Sequence, residues 1–76
     1  MIRVLLFAQL REHIGQGALT LDQEQITVTE LKSLLEKNYG LPTQGVMTAI
    51  NETYARDTDI VHEGDTVALI PPVSGG

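Results

Sequence analysis

The last six residues, Pro71-Pro72-Val73-Ser74-Gly75-Gly76, combine a stiff base with a bare tip. Two prolines hold the backbone extended and donate no N–H, so they end a strand and point the chain away from it. Val73 and Ser74 can still make specific contacts along that path. Two glycines then present no side chain, so a narrow channel can admit them and another protein's groups can approach the backbone closely. Fully extended, six residues reach at most about 20 Å. The reactive group of such a tail is its terminal carboxylate, which is a poor electrophile. It must first become a mixed anhydride, ordinarily an acyl adenylate made with ATP and Mg²⁺. The chain has no P-loop and no glycine-rich phosphate fingerprint, so that step falls to an activating partner. The competing reading of a terminal Gly-Gly is a frayed chain end.

Other candidate chemistry is sparse. His13 lies beside Glu12, and His62 beside Glu63 and Asp65, but neither has a His/Cys ligand spacing. Both read as solvated turn residues, and no bound metal or cofactor is expected. Ser74 has no neighbouring base and is no nucleophile. There is no cysteine, so any sulfur chemistry must run without a side-chain thiol. A cysteine-free chain also fits a reducing cytoplasm. The acids Asp57, Asp59, Glu63 and Asp65 read as a solvated loop rather than a docking site for basic groups. The net charge is −5, and the five basic residues (Arg3, Arg11, Lys32, Lys37, Arg56) form no cluster. That argues against nucleic acid and favours a partner with a basic docking surface. No apolar run approaches the roughly 20 residues that cross a bilayer, so no membrane partner is expected. Met1 to Phe7 reads as a first strand, not a signal peptide.

Seventy-six residues suffice for one small domain. Ile2 to Phe7 is apolar at every position except Arg3 and reads as a strand. Gln9 to Ile14 can form one or two helical turns, stopped at Gly15. Ala18-Leu19-Thr20-Leu21 alternates as a short second strand, antiparallel to the first. Thr27-Val28-Thr29-Glu30 has capping-box spacing, and Ile26 and Leu31 are placed as a hydrophobic staple. Val28, Leu31, Leu34 and Leu35 then form one apolar stripe. Gly40 supplies the stop and Pro42 bars continuation, so the spacing predicts a helix over 28–39. Val46 to Ile50 reads as a strand, Asn51-Glu52 as a turn, and Thr53-Tyr54-Ala55 as its return. Glu63-Gly64-Asp65 is a turn signal before a final strand, Thr66 to Ile70. The order β-β-α-β-β has one amphipathic helix, which must lie on one face of the sheet. It predicts an α+β, β-grasp (ubiquitin-like) fold with a mixed sheet. The domain is expected over 1–70, with 71–76 as an extended, flexible tail.

Strand parity has a functional consequence. If Ile2, Val4 and Leu6 face the helix, Leu5 and Phe7 point to the face that has no second layer. One of the pairs Val67/Leu69 and Ala68/Ile70 must point there too. Large apolar groups on an open sheet face make a partner-binding patch, unless loops or the Gln9–Ile14 turns cover them.

The segments Val4–Glu12, Ala49-Ile50-Asn51 and Gly64–Gly76 together resemble the sulfur-carrier family that contains the small subunit of molybdopterin synthase and the thiamine-thiazole carrier. The specific part is Pro-Pro-Val-Ser-Gly-Gly after Gly-Asp-Thr-Val-Ala; the thiazole carriers usually lack the double proline. Ile70 stands where some members have an aromatic residue. The resemblance implies that an E1-like enzyme, using ATP and Mg²⁺, adenylates Gly76, with Gly75 beside it in the active site. A persulfide then supplies the sulfur of a thiocarboxylate. It implies docking to the large subunit of molybdopterin synthase in a heterotetramer, with sulfur delivered to cyclic pyranopterin monophosphate to build the dithiolene. Pro71, Pro72, Val73 and Ser74 would position the tail, and Phe7, Leu5, Ile70 and Arg11 would meet the partner. Arg11 and Glu12, which match the family's start, are candidates for a structural or docking ion pair. Sulfur transfer for thiazole synthesis, a ubiquitin-like modifier and a non-catalytic adaptor remain as alternatives.

Overall fold

The computed structural model describes residues 1–72. Val73, Ser74, Gly75 and Gly76 lie outside the described residues. In chain order the elements are β1 (Ile2–Leu6), α1 (Ala8–Ile14), β2 (Ala18–Leu21), β3 (Gln25–Thr27) and α2 (Val28–Tyr39). They continue with β4 (Met47–Ile50), β5 (Thr53–Ala55), β6 (Ile60–His62) and β7 (Thr66–Ile70). Five strands form one mixed sheet in the order β2-β1-β7-β4-β5, and β3 pairs with β6 in a separate two-stranded sheet. β1 and β7 run parallel, with Val4 opposite Val67 and Leu6 opposite Leu69; the other pairings are antiparallel. This is the expected β-grasp plan.

The main helix starts and stops on local signals. The Thr27 hydroxyl accepts the Glu30 N–H at 3.1 Å, and the Glu30 carboxylate accepts the Thr27 N–H at 3.0 Å. Those bonds to the Thr27 backbone and hydroxyl hold the Glu30 carboxyl below its ordinary pKa. Gly40 ends α2 in the left-handed conformation, returning its N–H to Glu36 and Leu35. Val28, Leu31 and Leu35 are buried and share one core with Val4, Val67 and Leu69. Leu10 of α1 is buried in that same core and Ile14 packs against it, so α1 helps cover the inner face.

Four expectations need correction. Phe7 does not continue β1: it caps α1, its carbonyl accepting the Leu10 N–H at 3.1 Å, and the next residue, Ala8, has φ +50°. Two strands, β3 and β6, join the expected set, with Ile26 opposite Val61 and both buried. The acidic stretch is accordingly not a plain solvated loop. β6 runs through it, and the Asp59 and Asp65 carboxylates accept the N–H groups of Arg56 and His62 at 2.8 and 2.9 Å. Short acids three residues after a free N–H close turns in this way. Nor are the histidines turn residues. His13 lies in α1, its Nε2 3.2 Å from the Tyr39 carbonyl oxygen, and His62 lies in β6.

Candidate functional site

The sheet has two faces, and α1 and α2 cover one. Ile2, Val4 and Leu6 alternate inward from β1, and Val67 and Leu69 from β7. The complementary set therefore faces outward. Register aligns it in a row across the strands: Leu5 opposite Ala68, Ala68 opposite Ala49, and Ala49 opposite Tyr54. Two alanines in the centre, between larger groups, make a trough. Leu5 and Thr66 line it on one side, and Tyr54 and Ile70 on the other; Phe7, Glu52 and Ala68 belong to both. Phe7, Met47 and Tyr54 are exposed, at 46%, 51% and 67% of their full surface. Apolar groups gathered in this way on an open sheet face can serve as a docking surface for a partner.

Parallel pairing decides where the trough lies relative to the tail. Because β1 and β7 run the same way, Phe7 at the end of β1 stands at the end of the sheet from which Pro71 departs. Ile70 is the last residue of β7, paired with Met47. Pro71 is buried and Pro72 exposed. Pro72 passes the loop between α2 and β4, where Gly45 has φ +76°, and a Cβ added there would lie 3.6 Å from Pro72 Cγ. One side of α2 anchors this loop. Lys32 Nζ donates to the Val46 carbonyl at 2.9 Å and to Asp57 Oδ1 at 3.1 Å, and the Thr43 hydroxyl donates to the Glu36 carboxylate. Residues 32 and 36 stand one turn apart on the same face of the helix. The base of the tail thus leans on a loop fixed to the main helix.

The opposite end of the trough is closed by the β4–β5 turn at Asn51 and Glu52. Asn51 is clamped to β7: its N–H donates to the Thr66 carbonyl at 2.8 Å, and its Oδ1 accepts the Thr66 N–H at 3.0 Å. Its Nδ2 donates to Asp65 Oδ1 at 3.0 Å. The His62 backbone N–H and the Asn51 amide hold the Asp65 carboxyl below its ordinary pKa, with the His62 ring a lesser influence in the same direction.

Of the residues singled out in the sequence, Leu5, Phe7 and Ile70 come together on this face, next to Pro71 and Pro72. Arg11 does not line the trough; its guanidinium packs beside Gly17, and it forms no ion pair with Glu12 among the described residues. Gly76, Gly75, Val73 and Ser74 are outside the described residues. Sequence reasoning missed Ala49, Tyr54 and Glu52 as trough residues, and Gly45 and Lys32 as supports of the tail base. The one local signal among them was a glutamate where a two-residue hairpin turn ordinarily takes glycine.

Comparison with known proteins adds the following. The model of the ThiS family matches residues 4–76. A protein of Arabidopsis thaliana named molybdopterin synthase sulfur carrier subunit is 41% identical, over 99% of this chain and 82% of that protein. Among solved structures, SAMP1 from Haloferax volcanii superposes with a TM-score of 0.80 at 26% identity, over 99% of this chain and 98% of that one. A chain in the complex of subunits 1 and 2 of the molybdopterin-converting factor from Helicobacter pylori has the same fold. Its TM-score is 0.70 at 23% identity, covering 99% of this chain and 97% of that one.

Proposed function

This chain belongs to the ThiS family, and from that premise we propose that it is the sulfur-carrying small subunit of a molybdopterin synthase. The observation that carries the reading is the full-length match to a relative bearing that name, at 41% identity. The geometry supports it. An apolar trough for docking and the exit of the tail share one end of the sheet, so a partner that covers Phe7 and Ile70 also receives the residues after Pro72.

The chemistry follows from the needs of a carboxylate. The Gly76 carboxylate attacks the α-phosphorus of ATP on an E1-like partner, and pyrophosphate leaves. The terminal sulfur of a persulfide attacks the acyl carbon and AMP leaves; a thiol then cleaves the S–S bond and frees the thiocarboxylate. That sulfur is ionised at neutral pH and nucleophilic. In the large subunit's site it attacks a side-chain carbon of cyclic pyranopterin monophosphate, a C–S bond forming as a C–O bond to that carbon breaks and the oxygen leaves. Water then cleaves the acyl–sulfur bond, leaving sulfur on the pterin and restoring the carboxylate. Two such donations build the dithiolene. Pro71 and Pro72 set the direction of the tail, Val73 and Ser74 extend its contacts, and Gly75 lets the site close on the backbone. ATP and Mg²⁺ belong to the activating partner. A heterotetramer with the large subunit and a cytoplasmic site of action belong to the same proposal. The complex of the Helicobacter pylori factor is a precedent for pairing this fold with a second subunit.

The test is mass spectrometry of the chain after incubation with activator, ATP and a sulfur source. Replacing oxygen by sulfur on the activated terminus adds about 16 Da. No shift with an activator that works on another carrier contradicts the reading. Likeness to SAMP1, a small archaeal modifier protein, favours one alternative. A modifier gives isopeptide-linked adducts on lysines instead.

A further inference from the structure

Asn51 and Glu52 turn the β4–β5 hairpin with φ of +49° and +73°. Two consecutive left-handed residues favour Asn-Gly, because asparagine tolerates that region and glycine has no Cβ to strain it. Glutamate at the second position is disfavoured, and the clamp of Asn51 on Asp65 and Thr66, with the Ile50–Thr53 pair across the turn, holds it there. None of those bonds uses the Glu52 side chain, so a glycine would serve the turn better. Strain that the surrounding fold sustains is a mark of functional positions.

The Glu52 side chain lines both halves of the trough and is the one charged group among the residues that do. Among the described residues it forms no ion pair. Arg3, on the same face, lines a separate depression with Thr20 and Gln16. When a partner covers Phe7, Tyr54 and Ala68, the Glu52 carboxylate loses water, and no ion pair among the described residues replaces it. Burying an unpaired carboxylate opposes docking, so a partner that seats well must bring a cation.

We propose that Glu52 is a specificity-determining residue of the docking face. Its carboxylate meets a lysine or arginine of the large subunit beside the apolar side chain that fills the trough. This rests on the reading that the outer face docks that subunit. The left-handed turn holds Glu52 at the rim of the trough before the partner arrives, so it sets the register of docking as well as its selectivity. A partner with a neutral or acidic group at that place is rejected.

The experiment titrates the large subunit with the unaltered chain, Glu52→Gly and Glu52→Gln, at low and high salt, with a thermal melt of each chain. Glu52→Gly relieves the turn and melts higher, yet both variants bind about fivefold more weakly at low salt, as expected for one rim ion pair. The gap narrows at high salt. Affinity unchanged in both variants overturns the proposal while leaving the docking reading intact, and makes Glu52 a turn residue alone. Failure of the unaltered chain to bind overturns the docking reading and Glu52's role together. Self-association of the free chain that Glu52→Gly abolishes gives the face to a second copy and also overturns it.

Discussion

Phe7 is the side chain on which docking should depend most, and its contribution can be worked from its exposure. It is 46% exposed at the tail end of the trough. A phenylalanine offers about 200 Å² of surface, so roughly 90 Å² is left for a partner to cover. At about 25 cal/mol per Å², that burial stabilises the complex by about 2 kcal/mol. Phe7→Ala should therefore weaken binding to the large subunit about 30-fold. The capping role of Phe7 is carried by its backbone carbonyl, which alanine retains. The half of the ring already buried adds to folding, so the variant melts lower but stays folded. Phe7→Asp adds a second carboxylate to the trough that Glu52 also lines and should lower affinity further. The assay is calorimetric titration well below the melting temperature, with circular dichroism to verify the fold. A folded Phe7→Ala that binds within about twofold of the unaltered chain refutes the assignment of this face.

Removing the capping hydroxyl with Thr27→Ala should destabilise the chain by about 1 kcal/mol. For a domain of this size that lowers the melting temperature by about 4–8 °C, and an unchanged melt contradicts the role of the capping box. Gly45→Ala should melt a few degrees lower, because φ is +76° there, while the new methyl would stand 3.6 Å from Pro72 Cγ, an ordinary contact that leaves the ring in place. A higher melt refutes that reading. The Asp65 and Glu30 carboxyls lie below their ordinary values of 3.8 and 4.5. Their contribution is full above those values and is lost as pH falls through the depressed folded ones. Melting temperature followed into acid should thus fall less steeply for Asp65→Asn than for the unaltered chain, and parallel curves contradict the sign.

What could be read from the sequence was what local chemistry decides. Thr27, Glu30 and Gly40 fix both ends of α2 through bonds within a few residues, so its limits were legible to the residue. Parity in β1 placed Leu5 on the outer face, but it left open whether Val67 and Leu69 or Ala68 and Ile70 joined it there. β3 and β6 escaped because each is three residues long with Ile26 or Val61 as its main apolar anchor, and each is defined only by pairing with a distant segment. The alanine floor was hidden for the same reason: Ala49 and Ala68 meet only once the β4–β7 register is known. Ala8 carries no sequence sign of its positive φ, so the end of β1 was set one residue too far. Asp59 and Asp65 did carry a local sign, since a short acid near a turn commonly takes up a free N–H.

The central claim is that the terminal glycine carries sulfur to a substrate held by the large subunit. Its most direct measurement is dithiolene formed in a reconstituted mixture of large subunit, activator, ATP, sulfur source and cyclic pyranopterin monophosphate. Three carriers are compared: the unaltered chain, the chain lacking Gly75-Gly76, and the chain with one residue added after Gly76. Product with the unaltered chain alone, while all three still bind the large subunit, is the predicted result. Equal product from the shortened chain contradicts it.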